Sequence, residues 1–246
     1  MKTLVANGCS HTSGSELYEG LGECLENRNL SYAKKVADNL GYDYVNIAIN
    51  GGSNDYIFRS TIEFINNNLK NIQDYVFLIG WTSSLRIELR YSNRNIHLFN
   101  RNSNIDFYDK KYIPITPNTS ISLFEDKRFG KMIQKNKDLI IEDTFCSDKF
   151  ANYAFGLQSI FEAYNIKYFM FNTIHGQQKT GNNKATIKNL SKNPKYYKPL
   201  DHDDTFFFYC KDVLGYTDLT SYWHHKQDAH NAWSEILYER SKEWLK

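Results

Sequence analysis

The sequence predicts an α/β fold of three layers (α/β/α), in which helices cover both faces of a doubly wound, mostly parallel sheet, with an insertion after the third strand. Three observations carry this prediction. Short apolar runs without polar alternation each stop at Gly or Asn, stretches of helical periodicity fill the intervals between them, and runs and intervals alternate along the chain. A strand that is apolar throughout must be buried on both faces, and a parallel sheet acquires that cover from its crossover helices.

The first run, Thr3 to Ala6, ends in Asn7-Gly8. Tyr32 to Leu40 reads as a helix stopped by Gly41. Val45 to Ile49 is the second strand, ending in Asn50-Gly51-Gly52, and Asp55 to Leu69 is the next helix, with Ile57, Phe58, Ile62, Ile65 and Leu69 at helical spacing. Tyr75 to Ile79 forms the third strand and stops at Gly80; Tyr168 to Phe171 forms the fourth and stops at Asn172. A closing helix from Asp228 to Leu245 places Trp233, Ile236, Leu237 and Trp244 on or near one face. Residues 83–145 are too many for a connection that ordinarily takes ~2–6 residues. They read as an insertion beside the C-terminal edge of the sheet, with room for a hairpin of its own, and 176–203 as a mobile or ligand-facing loop. The four prolines, Pro114, Pro117, Pro194 and Pro199, fall in these two segments.

A chain of 246 residues, 41% apolar and 15% aromatic, fits a soluble globular protein, read as one domain over residues 1–246. With 30 Lys+Arg against 28 Asp+Glu there is no basic surplus, which argues against a nucleic-acid partner bound mainly through its phosphates. The opening apolar stretch is too short for a secretory leader and no run approaches ~18 apolar residues, so a cytoplasmic chain without a membrane partner is expected. Cys9, Cys24, Cys146 and Cys210 lie far apart with no Cys-x-x-Cys pair and read as free thiols.

Four blocks could carry chemistry. Asn7-Gly8-Cys9-Ser10-His11-Thr12 follows the first strand, where open α/β sheets bind ligands, so Ser10 is placed to be a nucleophile; the same letters would also serve a tight turn capped by Ser and Thr. Asn50-Gly51-Gly52-Ser53-Asn54-Asp55 offers N–H groups at a helix start, suited to an oxyanion or simply to a well-capped helix. Gly80-Trp81-Thr82-Ser83 follows the third strand, and Arg86 and Glu88 just beyond it either reach the site or pair with one another at its rim, the blander option. Tyr222-Trp223-His224-His225 leads through His230 into the closing helix. Three histidines in seven residues suggest metal, but His224 and His230, six apart, lack the i,i+4 register of a helical zinc motif, so neither metal nor cofactor is expected.

In this order the blocks resemble the SGNH/GDSL hydrolase family, whose sheet is flavodoxin-like. The resemblance implies a serine esterase with Ser10 of Gly8-Cys9-Ser10 as nucleophile and Gly51 as an oxyanion donor. Thr82 stands where the family has a donating Asn; either it or Asn54 would complete the oxyanion hole. Ala229-His230-Asn231-Ala232-Trp233 resembles the family's tail and sets the register in which His224 is the base, His225 occupies the usual proline place and His230 packs a helix. No Asp stands three residues before His224. Asp218 as the triad acid, a Ser-His dyad oriented by a backbone carbonyl, and His225 as the base all remain open.

The expected activity is hydrolysis of a small-molecule or carbohydrate ester, an O-acetyl carbohydrate among the candidates, with Tyr91, Phe99, Phe107, Tyr108 and Tyr112 of the insertion available either to stack on a sugar or to form a small core. An acyltransferase would use the same residues, and a catalytically impaired binding or structural protein would keep only the scaffold. A flavodoxin-like cofactor binder shares the layout but no flavin or nucleotide motif can be quoted. Oligomeric state is not legible.

Overall fold

A computed structural model describes residues 1–20, 22, 24–90, 112–116 and 127–246. In chain order the elements are β1 (Thr3–Asn7), α1 (Ser10–Ser13), α2 (Leu25–Leu30), α3 (Tyr32–Leu40), β2 (Asp43–Asn46), α4 (Asn54–Asn67), β3 (Tyr75–Trp81), β4 (Ile87–Arg90), β5 (Tyr112–Ile115), α5 (Lys127–Ile140), α6 (Asp143–Ala163), β6 (Lys167–Asn172), α7 (Lys184–Leu190), α8 (Phe206–Phe208) and α9 (Gln227–Leu245). The central sheet is parallel throughout, in the order β2-β1-β3-β6.

The apolar runs do what their composition requires. Leu4, Ala6, Val76, Leu78, Phe169 and Phe171 share one core with Tyr32, Val36, Phe206, Trp233 and Leu237. Val5, Phe77, Ile79, Tyr168 and Met170 share the other with Ile57, Ile65, Leu157 and Phe161. Alternate residues of each strand therefore feed opposite layers, with α3 and α9 on one side and α4 and α6 on the other. Local signals set the helix ends: the Ser31 hydroxyl accepts the Lys34 N–H, and Gly41 adopts the left-handed conformation that closes α3.

Trp233 is fully buried among the rings of Phe171, Tyr197, Phe206 and Tyr209, at the centre of the α9 contact. Trp233→Ala is expected to destabilise the fold by about 3–5 kcal/mol, read as a lower urea midpoint at unchanged slope. A midpoint equal to wild type would mean that α9 does not anchor the sheet.

Two differences from the sequence expectation have local causes. The regular strand β2 ends at Asn46, where the Asn46 side chain accepts the Ala48 N–H at 3.0 Å and the Arg28 guanidinium takes the carbonyls of Asn46 and Ala48. Ile47 and Ile49 stay buried and still donate their N–H groups to the carbonyls of Ala6 and Gly8, at 2.9 and 3.4 Å, so their apolarity reports burial beside β1 beyond the regular strand. The segment 176–203 contains α7, whose Ile187 and Leu190 pack into the core beside Tyr196.

Between β3 and α6, β4 and β5 pair antiparallel, and Ile87, Ile115, Ile133 and Cys146 form a small core of their own with α5. Tyr91, Phe99, Phe107 and Tyr108 lie outside the described residues. Among the described residues no helix is long and apolar enough to cross a membrane.

From β1 the chain moves to β2 on one side, then crosses back to β3 on the other. The strand order reverses between β1 and β3, which opens a crevice at their C-terminal ends. Close approach there depends on glycine. A Cβ on Gly8 would lie 2.0 Å from Thr12 Oγ1 and 2.9 Å from the Gly80 carbonyl, and one on Gly52 would lie 2.9 Å from the Gly8 carbonyl.

Candidate active site

The nucleophile candidate is carried by a tightly tied turn. Asn7 donates to the Ile57 carbonyl, Ser60 Oγ and Thr61 Oγ1 at 2.8–3.0 Å and accepts the Gly8 N–H at 2.8 Å, so the end of β1 is fixed to α4. One helical turn, α1, then presents Ser10, which is 4% exposed and whose hydroxyl makes no hydrogen bond among the described residues. Gly14, at φ +75°, ends α1 and turns the chain into Ser15 and Glu16. Ser15 Oγ donates to Asn50 Oδ1 at 2.5 Å, and Asn50 donates to the Gly22 carbonyl at 2.9 Å, which pins this loop to the second block.

Glu16 is buried and held at φ +67°, a conformation that costs a non-glycine residue about 1–3 kcal/mol and that often accompanies function. Its Oε2 accepts from His224 Nδ1 at 2.5 Å and from Thr220 Oγ1 at 2.5 Å. The Thr220 hydroxyl also accepts the His224 backbone N–H at 3.1 Å, so one threonine positions both partners. A carboxylate only accepts, which places a proton on Nδ1 and leaves the Nε2 lone pair available. Burial lowers the His224 pKa below the ordinary value, and the Glu16 hydrogen bond and charge oppose that without overcoming it. The imidazole is therefore neutral at pH 7, as a general base requires.

The other acid and base candidates are engaged elsewhere. Asp218 is exposed and pairs with Lys226 Nζ at 2.6 Å, so Glu16 takes the place expected for it beside His224. His225 is fully buried; its Nε2–H donates to the Phe207 carbonyl at 2.9 Å and its ring lies 5.2 Å from those of Phe206 and Phe207. It ties the closing loop to α8, and its Nε2 is not available to a serine. His230 is buried, stacks on Tyr32 and accepts the Tyr32 N–H at 3.2 Å, which supports the start of α3.

Of the oxyanion candidates, Gly51 turns the chain at φ +70°, and its N–H has no partner among the described residues. Thr82 is fully buried and its Oγ1 is unpartnered, although its N–H goes to Asn54 Oδ1 at 3.0 Å. Asn54 is a clamp instead of a donor to substrate, because its Nδ2 also donates to the carbonyls of Thr82 and Ser83 at 3.2 and 3.4 Å. It joins the second block to the third.

The end of β1 and the loop before α9 do meet: the rings of His11 and His224 lie edge-on at 5.1 Å. No hydrogen bond joins Ser10 to His224 among the described residues. Glu88 does not pair with Arg86. It binds Arg59 at 3.3 Å, and burial, opposed by the Arg59 charge, pushes its pKa up to about 7. A groove of about 540 Å³ lined by residues of the 191–201 segment, Phe169 and Arg240 shares no residue with this site.

Glu16 lies far from the stretch just upstream of His224, where the resemblance points for a triad acid. It is the first acidic residue of the chain and lies six residues after Ser10, in the same loop, which was the available signal.

No curated protein sequence matches the chain. Several solved structures are similar. A carbohydrate esterase family 2 enzyme with a carbohydrate-binding domain from Corynascus thermopiles (Myceliophthora fergusii) is 14% identical with a TM-score of 0.49, over 99% of this chain and 66% of that one, so the chain spans just under two thirds of its length. The psychrotrophic esterase EstA from Pseudoalteromonas sp., in a form inhibited by monoethylphosphonate, is 13% identical with a TM-score of 0.49, over 100% and 99% of the two chains. A protein assigned to the lipolytic G-D-S-L family from Desulfitobacterium hafniense is 12% identical with a TM-score of 0.48, over 98% and 99%. A family model described as a family of unknown function, DUF6071, matches residues 15–193, well over half of the chain, and the protein belongs to that family.

Proposed function

We propose that the protein is a serine ester hydrolase acting on a small O-acyl compound, with an O-acetyl carbohydrate as the favoured substrate, and that Ser10, His224 and Glu16 form its catalytic triad. The observation that carries this reading is the buried Glu16–His224 pair at 2.5 Å, in which the carboxylate accepts from Nδ1–H and leaves Nε2 without a proton, on a ring packed against His11 of the turn that holds Ser10. A buried carboxylate that orients an imidazole is the arrangement that makes a neighbouring hydroxyl nucleophilic.

In this mechanism the Ser10 side chain turns toward His224 when substrate binds, a closing of distance common in unliganded enzymes. His224 Nε2 takes the hydroxyl proton as Oγ attacks the acyl carbon. The carbonyl oxygen becomes an oxyanion held by the N–H groups of Ser10 and Gly51 and by the Thr82 hydroxyl. Losing one such donor typically costs about 10²–10³ in rate. Glu16 stabilises the imidazolium, which protonates the leaving alcohol as the C–O bond breaks. Water, deprotonated by His224, then attacks the acyl-enzyme and releases the acid and Ser10.

The test is covalent. A fluorophosphonate probe is expected to label the wild-type protein, with the adduct on the peptide containing Ser10, and to leave Ser10→Ala unlabelled. In parallel, 4-nitrophenyl acetate and acetylated sugars are hydrolysed by the wild type. Absence of labelling, or hydrolysis that survives Ser10→Ala, would remove Ser10 from the chemistry.

A further inference from the structure

Among the described residues, one charge at this edge of the sheet has no counterpart. Arg86 lies in the turn between β3 and β4, where its N–H bonds the Ser83 carbonyl at 3.2 Å and the Asn54 clamp on Thr82 and Ser83 fixes the turn's base. Its Nη1 is buried and has no acceptor among the described residues. The nearby carboxylates are committed: Glu88 to Arg59, Asp55 to Lys149, and Glu16 to His224 and Thr220. Two more buried polar atoms without partners, Thr82 Oγ1 and His11 Nδ1, belong to the same blocks. Buried polar groups are almost always satisfied, and a half-buried guanidinium without an anion is costly, so unpartnered polar atoms on the blocks that form this edge of the sheet point to a ligand that completes them. The Arg86 charge also reaches the three imidazoles of this edge: after burial and neighbouring histidines, it is among the causes that lower His11 and His175, and after burial it lowers His224 against the pull of Glu16.

We infer that Arg86 is a specificity-determining residue that binds a carboxylate or equivalent oxyanion carried by the ester substrate, so that the site selects acidic O-acyl compounds over neutral ones. The inference rests on the Ser10 hydrolase reading and narrows its substrate class. A guanidinium offers paired N–H donors that match a carboxylate's two oxygens, and the fixed turn sets their direction. The anion can belong to the acyl half or to the alcohol half of the ester.

Two matched pairs of esters separate these cases. Mono-4-nitrophenyl succinate against 4-nitrophenyl butyrate places the charge in the acyl half; 4-acetoxybenzoate against its methyl ester places it in the alcohol half. In at least one pair the wild type is expected to favour the anion by about 10- to 100-fold in kcat/KM, the worth of a charge-assisted hydrogen bond. Arg86→Gln should bring that ratio toward one, and Arg86→Lys should keep part of it. Melting should tell a binding role from a structural one: Arg86→Gln removes an unpaired charge, so Tm holds or rises. A ratio near one in wild type for both pairs, an unchanged ratio in Arg86→Gln, or a fall in its Tm would overturn the inference. The same four compounds are titrated calorimetrically into Ser10→Ala with and without Arg86→Gln. If no ester is turned over, the hydrolase reading fails by itself. Tighter binding of the anions that disappears with Arg86→Gln would still support the anion site, and equal or absent binding would sink it.

Discussion

Glu16→Gln is expected to lower kcat for ester hydrolysis by about 10⁴-fold, the usual scale for losing the acid of a serine triad, in a protein that stays folded. Gln keeps the volume and can retain the Thr220 hydrogen bond, but its amide can donate to Nδ1. That would move the ring proton to Nε2 and remove the base. Asp218→Asn should leave the rate at wild type, since Asp218 faces solvent with Lys226. The pH profile supplies an independent sign. Burial holds the His224 pKa below its ordinary value, while the Glu16 bond and charge raise it. Activity that needs the neutral ring therefore has its acid limb below about pH 6.5. Without the Glu16 charge the pKa drops further, so the limb of the residual activity moves to still lower pH. An undiminished rate, or a limb that stays in place, would take Glu16 out of the triad.

What was legible beforehand follows from how local each signal is. The strands β1, β3 and β6 are readable because burial on both faces imposes a continuous apolar run, whereas the edge strand β2 is Asp43–Asn46 and only overlaps the apolar run at Val45; Gly8, Gly52 and Gly80 stand where three loops approach closely. Ser10 and His224 were readable as positions, each within its own block. Glu16 was not, because its partner is 208 residues away and the contact depends on a left-handed backbone pinned through Ser15 and Asn50. Asn54 shows the limit of residue type as evidence. An amide at a helix start can donate to a substrate or clamp a neighbouring loop, and only the proximity of Thr82 and Ser83 decides for the clamp. Arg86 and Glu88 were close in sequence, yet Arg59 of α4 lies nearer to the carboxylate and takes it, which leaves Arg86 open.

Acid is expected to unfold this protein at a pH where most domains are stable. His11, His225 and His230 are buried, and burial is the largest cause that lowers the pKa of each, those of His11 and His230 well below the ordinary value. Above about pH 6.5 the three rings are neutral in both folded and unfolded chains and contribute no pH dependence. Below it the unfolded chain binds protons that the native rings refuse, so stability is lost as pH falls from about 6.5 toward the native pKa values. The slope approaches about 1.4 kcal/mol per pH unit for each ring, or about 4 for the three together. A stability of the usual size, about 5–15 kcal/mol, would shrink to a small remainder within a few pH units. Urea midpoints measured at about pH 7.5, 6.5 and 5.5 should be close for the first two and much lower for the last. His230→Gln, which keeps an acceptor for the Tyr32 N–H but cannot titrate, should flatten that fall. Equal midpoints at the two extremes would mean that these rings protonate without unfolding the chain. The imidazoles at this edge of the sheet would then be more open to solvent than their burial implies, and the dry, neutral surroundings of the His224 ring, which packs against His11, would be lost with them.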